Sequence, residues 1–484
     1  MSQPSRRELM SNVDKAWLRM DSPTNLMIIN GVLLFDEVVA FEHFKAVCEH
    51  RLAGAYARFR QRIVEAPAGT GRLHWEVDPH FDIRSHVRRI ALPAPGDTAA
   101  LQTLIGTLMS EALDTNKPLW QFYLIENVNG GCAAFARFHH CIADGIALVN
   151  VLLSLTDGQP DAPVPQPAQG KAVAPRPFDL FGSVRSMAHK AQTVTANVLK
   201  AVVYEGLQTI EHPAHALELA KVTGLVGATG AAILAKLLVM PPDRPSVLKG
   251  PLGATKRVVW SDPLDLNQVK AIGRATGATV NDVLVAAMAG ALRSYLLGRG
   301  DPVDSGELRA MVPVNLRPLH DPTDSQAHEL GNHFSLVYLA LPVSVADARA
   351  RLLDVKRRMD ILKSSPEPML VYQILNVLGM LPGELAERAV RMFAAKASAV
   401  LTNVPGPRQM LYFAGKPLRG IHVWVPQSGQ IGLGISIISY AGEVTVGLVV
   451  DDAVVQNPEA IISGFHAAFV ELTHLAAPTP NPSG

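Results

Sequence analysis

The chain is poor in cysteine, aromatic side chains and charge. Among 484 residues there are 3 Cys, 6% aromatic residues and 18% charged residues. Cys48, Cys132 and Cys141 are scattered and odd in number, with no C-x-x-C pair, so a disulfide framework is excluded and a reducing cytoplasm is the expected setting. The formal net charge is +1, so no global field recruits nucleic acid or an anionic membrane. Basic and aromatic residues are not interleaved as an RNA-binding surface requires, and no nucleic-acid partner is expected. The opening MSQPSRRELMSNVDKAW lacks an apolar core after its basic residues, so a secretory signal is not expected there. No G-x-S-x-G elbow occurs.

Apolar residues are plentiful, at 48%, and mean hydropathy is +0.17. A chain of this length and composition can bury large cores and still keep apolar surface for a lipidic partner. Residues 223–240, TGLVGATGAAILAKLLVM, form its most apolar run. Glycines, threonines and Lys236 interrupt this run and Pro241-Pro242 ends it. It reads as a buried or interfacial helix rather than a span, which wants about 20 apolar residues.

Three zones follow one another. From Asp14 to Asp157, apolar alternation (IINGVLLF, CAAFARFH) mixes with helical periods (VAFEHFKAVCEHRL). Gly130-Gly131 between QFYLIENV and CAAFARFHH predicts a β-hairpin. Residues 157–177 are dense in proline and read as a solvated linker, followed by a helical stretch. Within 171–200, Lys171, Arg176, Arg185, Lys190 and Lys200 face Asp179 alone. That excess suits either a surface on anionic lipid or a solvated helical face. From Lys256 to Leu475 the pattern is mixed again. A strand over TKRVVWSDPL leads to a helix from Leu266 to Thr276 stopped by Gly277, and a later hairpin turns at AGE. The expected architecture is α/β (mixed α+β): an N-terminal domain over 1–157, a linker over 158–250, a C-terminal domain over 251–476 and a disordered tail over 477–484.

One segment carries chemistry. In FHHCIADGIAL, His139 and His140 end an apolar strand, and Asp144-Gly145 precede a helical pattern. Four readings compete. The histidines can be satisfied structural residues, with Asp144 the cap of the next helix. A metal site is disfavoured because adjacent strand residues point to opposite faces. Cys141 as nucleophile is disfavoured because a Cys-His pair meets through space, not adjacency. In the fourth reading one imidazole faces a channel and takes a proton from an alcohol, the other packs behind it, Asp144 fixes the loop, and Gly145 admits close backbone approach.

HHCIADG, residues 139–145, resembles the HHxxxDG signature of CoA-dependent acyltransferases with the chloramphenicol acetyltransferase-like fold. NVDKAWLRMDSPTNLMIINGVLLFD, Pro118-Leu119-Trp120, ATVNDVLVAAMAGALRSYL, LRAMVPVNLRP, ELGNHFSLVYLALPV and LTNVPGPRQMLYFAGKPL are similar, in order, to segments of the bacterial wax ester synthase / diacylglycerol acyltransferase family. Gln121 departs from that pattern, which commonly has Glu after the Trp. The resemblance implies two similar domains with a tunnel between them. It also implies transfer of a long-chain acyl group from acyl-CoA, a co-substrate, to diacylglycerol or a long-chain alcohol, with no permanently bound cofactor or metal. Such acceptors would place the protein at a membrane or droplet surface. His140 would be the base, His139 a supporting residue and Asp144 structural.

Asn281 is the candidate donor to the reaction's oxyanion, because Thr279 opens a helical pattern and Asn281 falls in its first turn. Thr279 to Asp282 also resembles a capping box, which would make Asp282 structural. Trp120 fits the core or the tunnel wall. Asn403, before Val404-Pro405-Gly406-Pro407, fits the domain junction or a turn.

Overall fold

The computed structural model describes residues 7–66, 72–160, 236–237, 239–304, 307–316, 330, 332–380, 383–427 and 429–476. The proline-rich linker beyond residue 160, the basic 171–200 stretch, most of the 223–240 run and the 477–484 tail lie outside them.

Two mixed α/β units each surround a sheet. In the first, the strand Gly131–His139 lies at the centre and all nine of its residues are buried. Alternation sends its two faces to two cores. Cys132, Ala134, Ala136 and Phe138 join one cluster with Trp17, Phe59 and Trp120, while Ala133 and Phe135 join another with Leu101, Ile105 and Val258. Its alanines let helices lie close on both sides, as a doubly covered strand requires. The expected hairpin is present between Trp120–Val128 and Gly131–His139. Its turn is Asn129-Gly130, both at positive φ, the two-residue geometry that matches strand twist. Gly131 is already in the strand, where a Cβ would stand 2.1 Å from the Phe35 carbonyl oxygen.

The second sheet runs in the order Phe334–Leu341, Leu308–Asn315, Ala399–Pro405, Leu433–Tyr440, Glu443–Asp451, Lys256–Trp260, with Leu264–Asp265 beside Glu443–Asp451. The helix Leu266–Thr276 ends on Gly277 at φ 68°, the left-handed cap its sequence predicts. Val280–Gly298 is the one helix among the described residues long and apolar enough to cross a membrane. It is the centre of the second core, packed with Leu352, Phe465 and Phe469, and 72% of its apolar window is buried.

The two units interlock. Gly420–Trp424, late in the chain, pairs with Ile28–Phe35 and completes the first sheet. The helix Asn12–Met20 is a seam: Val13 and Trp17 enter the first core, while Ala16 packs on Ile374, Leu375 and Ala389. Gly379 makes that approach possible, since a Cβ there would fall 1.7 Å from the Asn12 carbonyl oxygen. Lys256 Nζ donates to Thr24 O (2.6 Å) and pairs with Asp451 Oδ2 (2.5 Å), a buried staple across the junction.

The Gln121 departure has a structural consequence. Gln121 Oε1 accepts from Arg137 Nη1 (3.1 Å) and from the Tyr123 hydroxyl (2.9 Å). Arg137 is fully buried; its Nη2 donates to the Glu111 carbonyl and its Nε has no partner among the described residues. Burial pulls the guanidinium pKa down. Gln121→Glu would give this charge a carboxylate in place of an amide oxygen. The present bond already has a charged donor, so the substitution is expected to raise stability by only about 1 kcal/mol, measured as a higher urea midpoint.

Candidate active site

The 139–145 segment is a strand end, a turn and a helix start. His139 N–H donates to Leu119 O (3.0 Å) on one side and His140 N–H to Met27 O (2.7 Å) on the other, so neighbouring strands grip both peptides. Asp144 caps the helix Gly145–Ser154, its Oδ1 accepting from Ala147 N–H (2.9 Å). Its Oδ2 accepts from His333 N–H (3.0 Å), so the same carboxylate reaches the second unit. Gly145 is not forced by backbone approach, contrary to expectation. A Cβ there would meet only Val425 Cγ1 at 3.5 Å, an ordinary contact. What it would occupy is space in the cleft that Gly145 lines.

The two imidazoles part company, as alternation requires. His139 Nδ1 accepts from Cys141 N–H (3.2 Å), which puts the ring hydrogen on Nε2, 3.9 Å from Asp21 Oδ2. Asp21 Oδ1 is itself held by Met27 N–H (2.6 Å). His139 is therefore held at Nδ1, while its Nε2 has no hydrogen-bond partner among the described residues. His140 stacks on Trp17, centroids 4.1 Å apart at 17°, with Phe334 at 5.1 Å. Burial holds its pKa at about 4, while Asp144, its own carbonyl and the Asn332 side chain pull upward. The ring is 3% exposed, yet it forms part of the wall of a cleft between the units.

That cleft is narrow, with a cavity volume of about 60 Å³. Trp17, Ile29 and Val149 line it from the first unit, Met311, Leu336 and Val425 from the second. Its polar lining is sparse: His140, Asp144, Asn315, Thr402 and Asn403. Met311 and Leu336 also line a second apolar pocket of about 40 Å³, bounded by Tyr338, Ile374, Leu375 and Phe393. Such composition fits polymethylene chains with a few orienting groups.

Other singled-out residues stand at varied distances from this wall. Asn281 does not line the cleft; its Oδ1 accepts from Asn403 Nδ2 (2.7 Å), and Asn403 does line it. Asp282 closes a capping box with Thr279, at 2.8 and 3.2 Å. Trp120 is in the core, stacked on His86 at 4.5 Å, its Nε1 donating to Phe59 O (2.8 Å). Cys141 is buried and its thiol is pushed well above the ordinary range by burial, so a thiolate is disfavoured there. Among the described residues no cluster of His, Cys, Asp and Glu is placed to hold a metal. Sequence reasoning missed Trp17, Asp14 and Asn332 around His140. They sit in the segments DKAW and ELGNHF, where nothing local marks them as neighbours of residue 140.

Two mixed α/β units meeting at an apolar cleft, with the second histidine of HHxxxDG on its wall, define the two-domain chloramphenicol acetyltransferase-like fold. Residues 10–284 match the wax ester synthase/diacylglycerol acyltransferase catalytic domain and residues 330–473 match the family's C-terminal domain. The chain belongs to the wax ester synthase/diacylglycerol acyltransferase family. A Mycobacterium tuberculosis protein assigned as a diacylglycerol O-acyltransferase is 29% identical over 98% of this chain and 92% of its own length. Another from the same species, tgs1, also so assigned, is 29% identical over 87% of this chain and 85% of itself. In three dimensions the chain is similar to the wax ester synthase/diacylglycerol acyltransferase of Marinobacter aquaeolei VT8, with TM-score 0.68, 21% identity and coverage of 97% and 99%. It is also similar to the starter condensation domain of rhizomide synthetase RzmA solved with C8-CoA, with TM-score 0.56, 15% identity and coverage of 97% and 94%.

Proposed function

We propose that this enzyme moves a long-chain acyl group from acyl-CoA to the hydroxyl of diacylglycerol, giving triacylglycerol, and to long-chain alcohols, giving wax esters. The observation that carries the reading is a neutral imidazole, His140, on the wall of an otherwise apolar cleft. A hydroxyl is a weak nucleophile near neutral pH and needs a positioned base. His140 takes the hydroxyl proton as the oxygen attacks the thioester carbonyl carbon. The tetrahedral intermediate collapses, the C–S bond breaks, and the proton passes to the departing CoA sulfur. Thioesters are already activated, so neither a metal nor a covalent relay is called for. Asn403 presents its amide at the wall to the developing oxyanion, and Asn281 orients it. Protein assigned to such substrates works at a lipid surface, a role the basic 171–200 stretch suits.

Purified protein offered labelled acyl-CoA with diacylglycerol, hexadecanol, small alcohols or amines tests the assignment. Transfer only to small polar acceptors removes the lipid reading and favours another HHxxxDG chemistry. The pH profile follows from burial. An ordinary histidine titrates near 6.5, but His140 is held at about 4. As pH falls through that value the ring takes up a proton and can no longer accept one. The acid limb of kcat/KM, which reports the free enzyme, is expected near pH 4, with no loss between pH 7 and 5. A limb at 6.5 contradicts this assignment of the base.

A further inference from the structure

We propose that Thr402 and Asn315 select the acceptor, by hydrogen-bonding the ester carbonyls that diacylglycerol has and a long-chain alcohol lacks. The inference rests on the acyltransferase reading of the cleft. Three adjacent strands of the second unit, Phe334–Leu341, Leu308–Asn315 and Ala399–Pro405, turn one face to a core and the other to the cleft. Alternation sorts their side chains. Val312, Val314, Val337 and Leu401 enter the core, whereas Met311, Pro313, Leu336 and Val400 line the cleft. Besides Asn403, which is bonded to Asn281, the polar side chains these strands give to the cleft are Asn315 and Thr402. Thr402 stands between Val400 and Val404, both on the cleft wall. Valine at 402 would have the same shape and suit a strand as well, so the hydroxyl is what distinguishes this choice. Thr402 is 5% exposed, and its hydroxyl has no hydrogen-bond partner among the described residues. When an apolar chain fills the cleft that hydroxyl loses water, a cost that valine avoids and a substrate oxygen offsets.

The strand register orders this wall relative to the base. Asn315 is opposite Phe334, whose ring centroid lies 5.1 Å from that of His140. Further from the base, Pro313 is opposite Leu336 and Met311 is opposite Tyr338. Met311 and Tyr338 line the second apolar pocket. Val400 is beside Met311 in a parallel strand, so Thr402 lies two residues nearer the base. The wall is thus polar close to the base and apolar beyond. Diacylglycerol has the same layout: its ester groups flank the free hydroxyl and its chains run on from them. The threonine O–H and the asparagine amide N–H are donors to carbonyl oxygens. A long-chain alcohol brings methylenes to that place and leaves both donors unmatched. A site built to hydrogen-bond a substrate group rejects the analogue without it.

The test measures kcat/KM of the full-length protein for three acceptors with one acyl-CoA. They are a diacylglycerol, the dialkylglycerol of equal chain length in which ethers replace the esters, and hexadecanol. Wild type is expected to favour diacylglycerol over the dialkylglycerol by at least about tenfold, the worth of one to two hydrogen bonds. Thr402→Val is expected to lower that preference, and the preference for diacylglycerol over hexadecanol, by about fivefold each, the worth of one hydrogen bond. Thr402→Ser restores the hydroxyl and is expected to restore both preferences. Asn315→Ala is expected to act as Thr402→Val does, and serves if Thr402→Val does not fold. A folded Thr402→Val protein with both wild-type preferences overturns the proposal, as does a wild type indifferent to the ether. If that happens while diacylglycerol and hexadecanol are both acylated, only this inference fails. A wild type that acylates neither removes the reading of the cleft on which it rests.

Discussion

His140→Ala is expected to lower kcat/KM by about 10²–10⁴-fold, the usual worth of a positioned general base, equivalent to about 3–5 kcal/mol of transition-state stabilisation. The fold is expected to survive. The ring lines the cleft on one side, so its removal enlarges an existing space instead of opening a void in a closed core. It also removes a buried group that resists protonation down to about pH 4. An unfolded histidine takes its proton near 6.5, so between pH 6.5 and 4 the unfolded state binds the extra proton and the native state is penalised. His140→Ala is thus expected to be inactive yet relatively better folded in mild acid, a pairing that a misfolded variant does not give. Cys141→Ser is the matching control and is expected to keep activity, because burial disfavours the Cys141 thiolate. A lipid-coating protein without turnover would bind substrate equally well with either residue at 140, and would show no product in wild type.

Parts of this architecture were legible because they are written in a few adjacent residues. The hairpin before His139, whose turn falls at Asn129-Gly130, one residue ahead of the expected Gly130-Gly131, the turn at Ala441-Gly442, the Gly277 stop and the Thr279 capping box all rest on backbone conformations or short-range bonds that particular residue types favour. The apolar strand delivering His139 and His140 was readable for the same reason. Other parts depend on residues brought together from far along the chain. Gly420–Trp424 joins a sheet begun at Ile28, and nothing in GIHVW distinguishes that partner from a nearer strand. The Trp17 and Phe334 rings around His140 come from the first helix and from a strand of the second unit, far apart in the chain. Asn281 illustrates the boundary. Its place in the first turn of a helix was readable, but the amide it meets, Asn403, is 122 residues away. Local logic therefore pointed Asn281 at the substrate, whereas the structure puts Asn403 between it and the cleft.

Trp120 is the case in which the same contacts decide between a core and a tunnel. Trp120→Ala is expected to destabilise the fold by about 3–5 kcal/mol, the range for removing a large buried aromatic side chain, seen as a lower urea midpoint. The side chain is fully buried. It stacks on His86, meets Phe59 and Phe122 edge-on, and bonds the Phe59 carbonyl through Nε1. Trp120→Phe keeps much of the apolar volume but leaves that carbonyl unpaired, so about 1–3 kcal/mol is expected to be lost. Because Trp120 does not line the cleft, acyl-chain preference and kcat of the folded Trp120→Phe protein are expected to match wild type. The neighbouring residue carries the link to chemistry: Leu119 O accepts from His139 N–H, a backbone contact that any side chain at 119 can supply. A Trp120→Phe enzyme of unchanged stability but altered chain preference would move this ring from the core to the tunnel wall. The stacking on His86 argues against that, since a ring sandwiched between His86 and the Phe59 and Phe122 edges has no face left for a substrate.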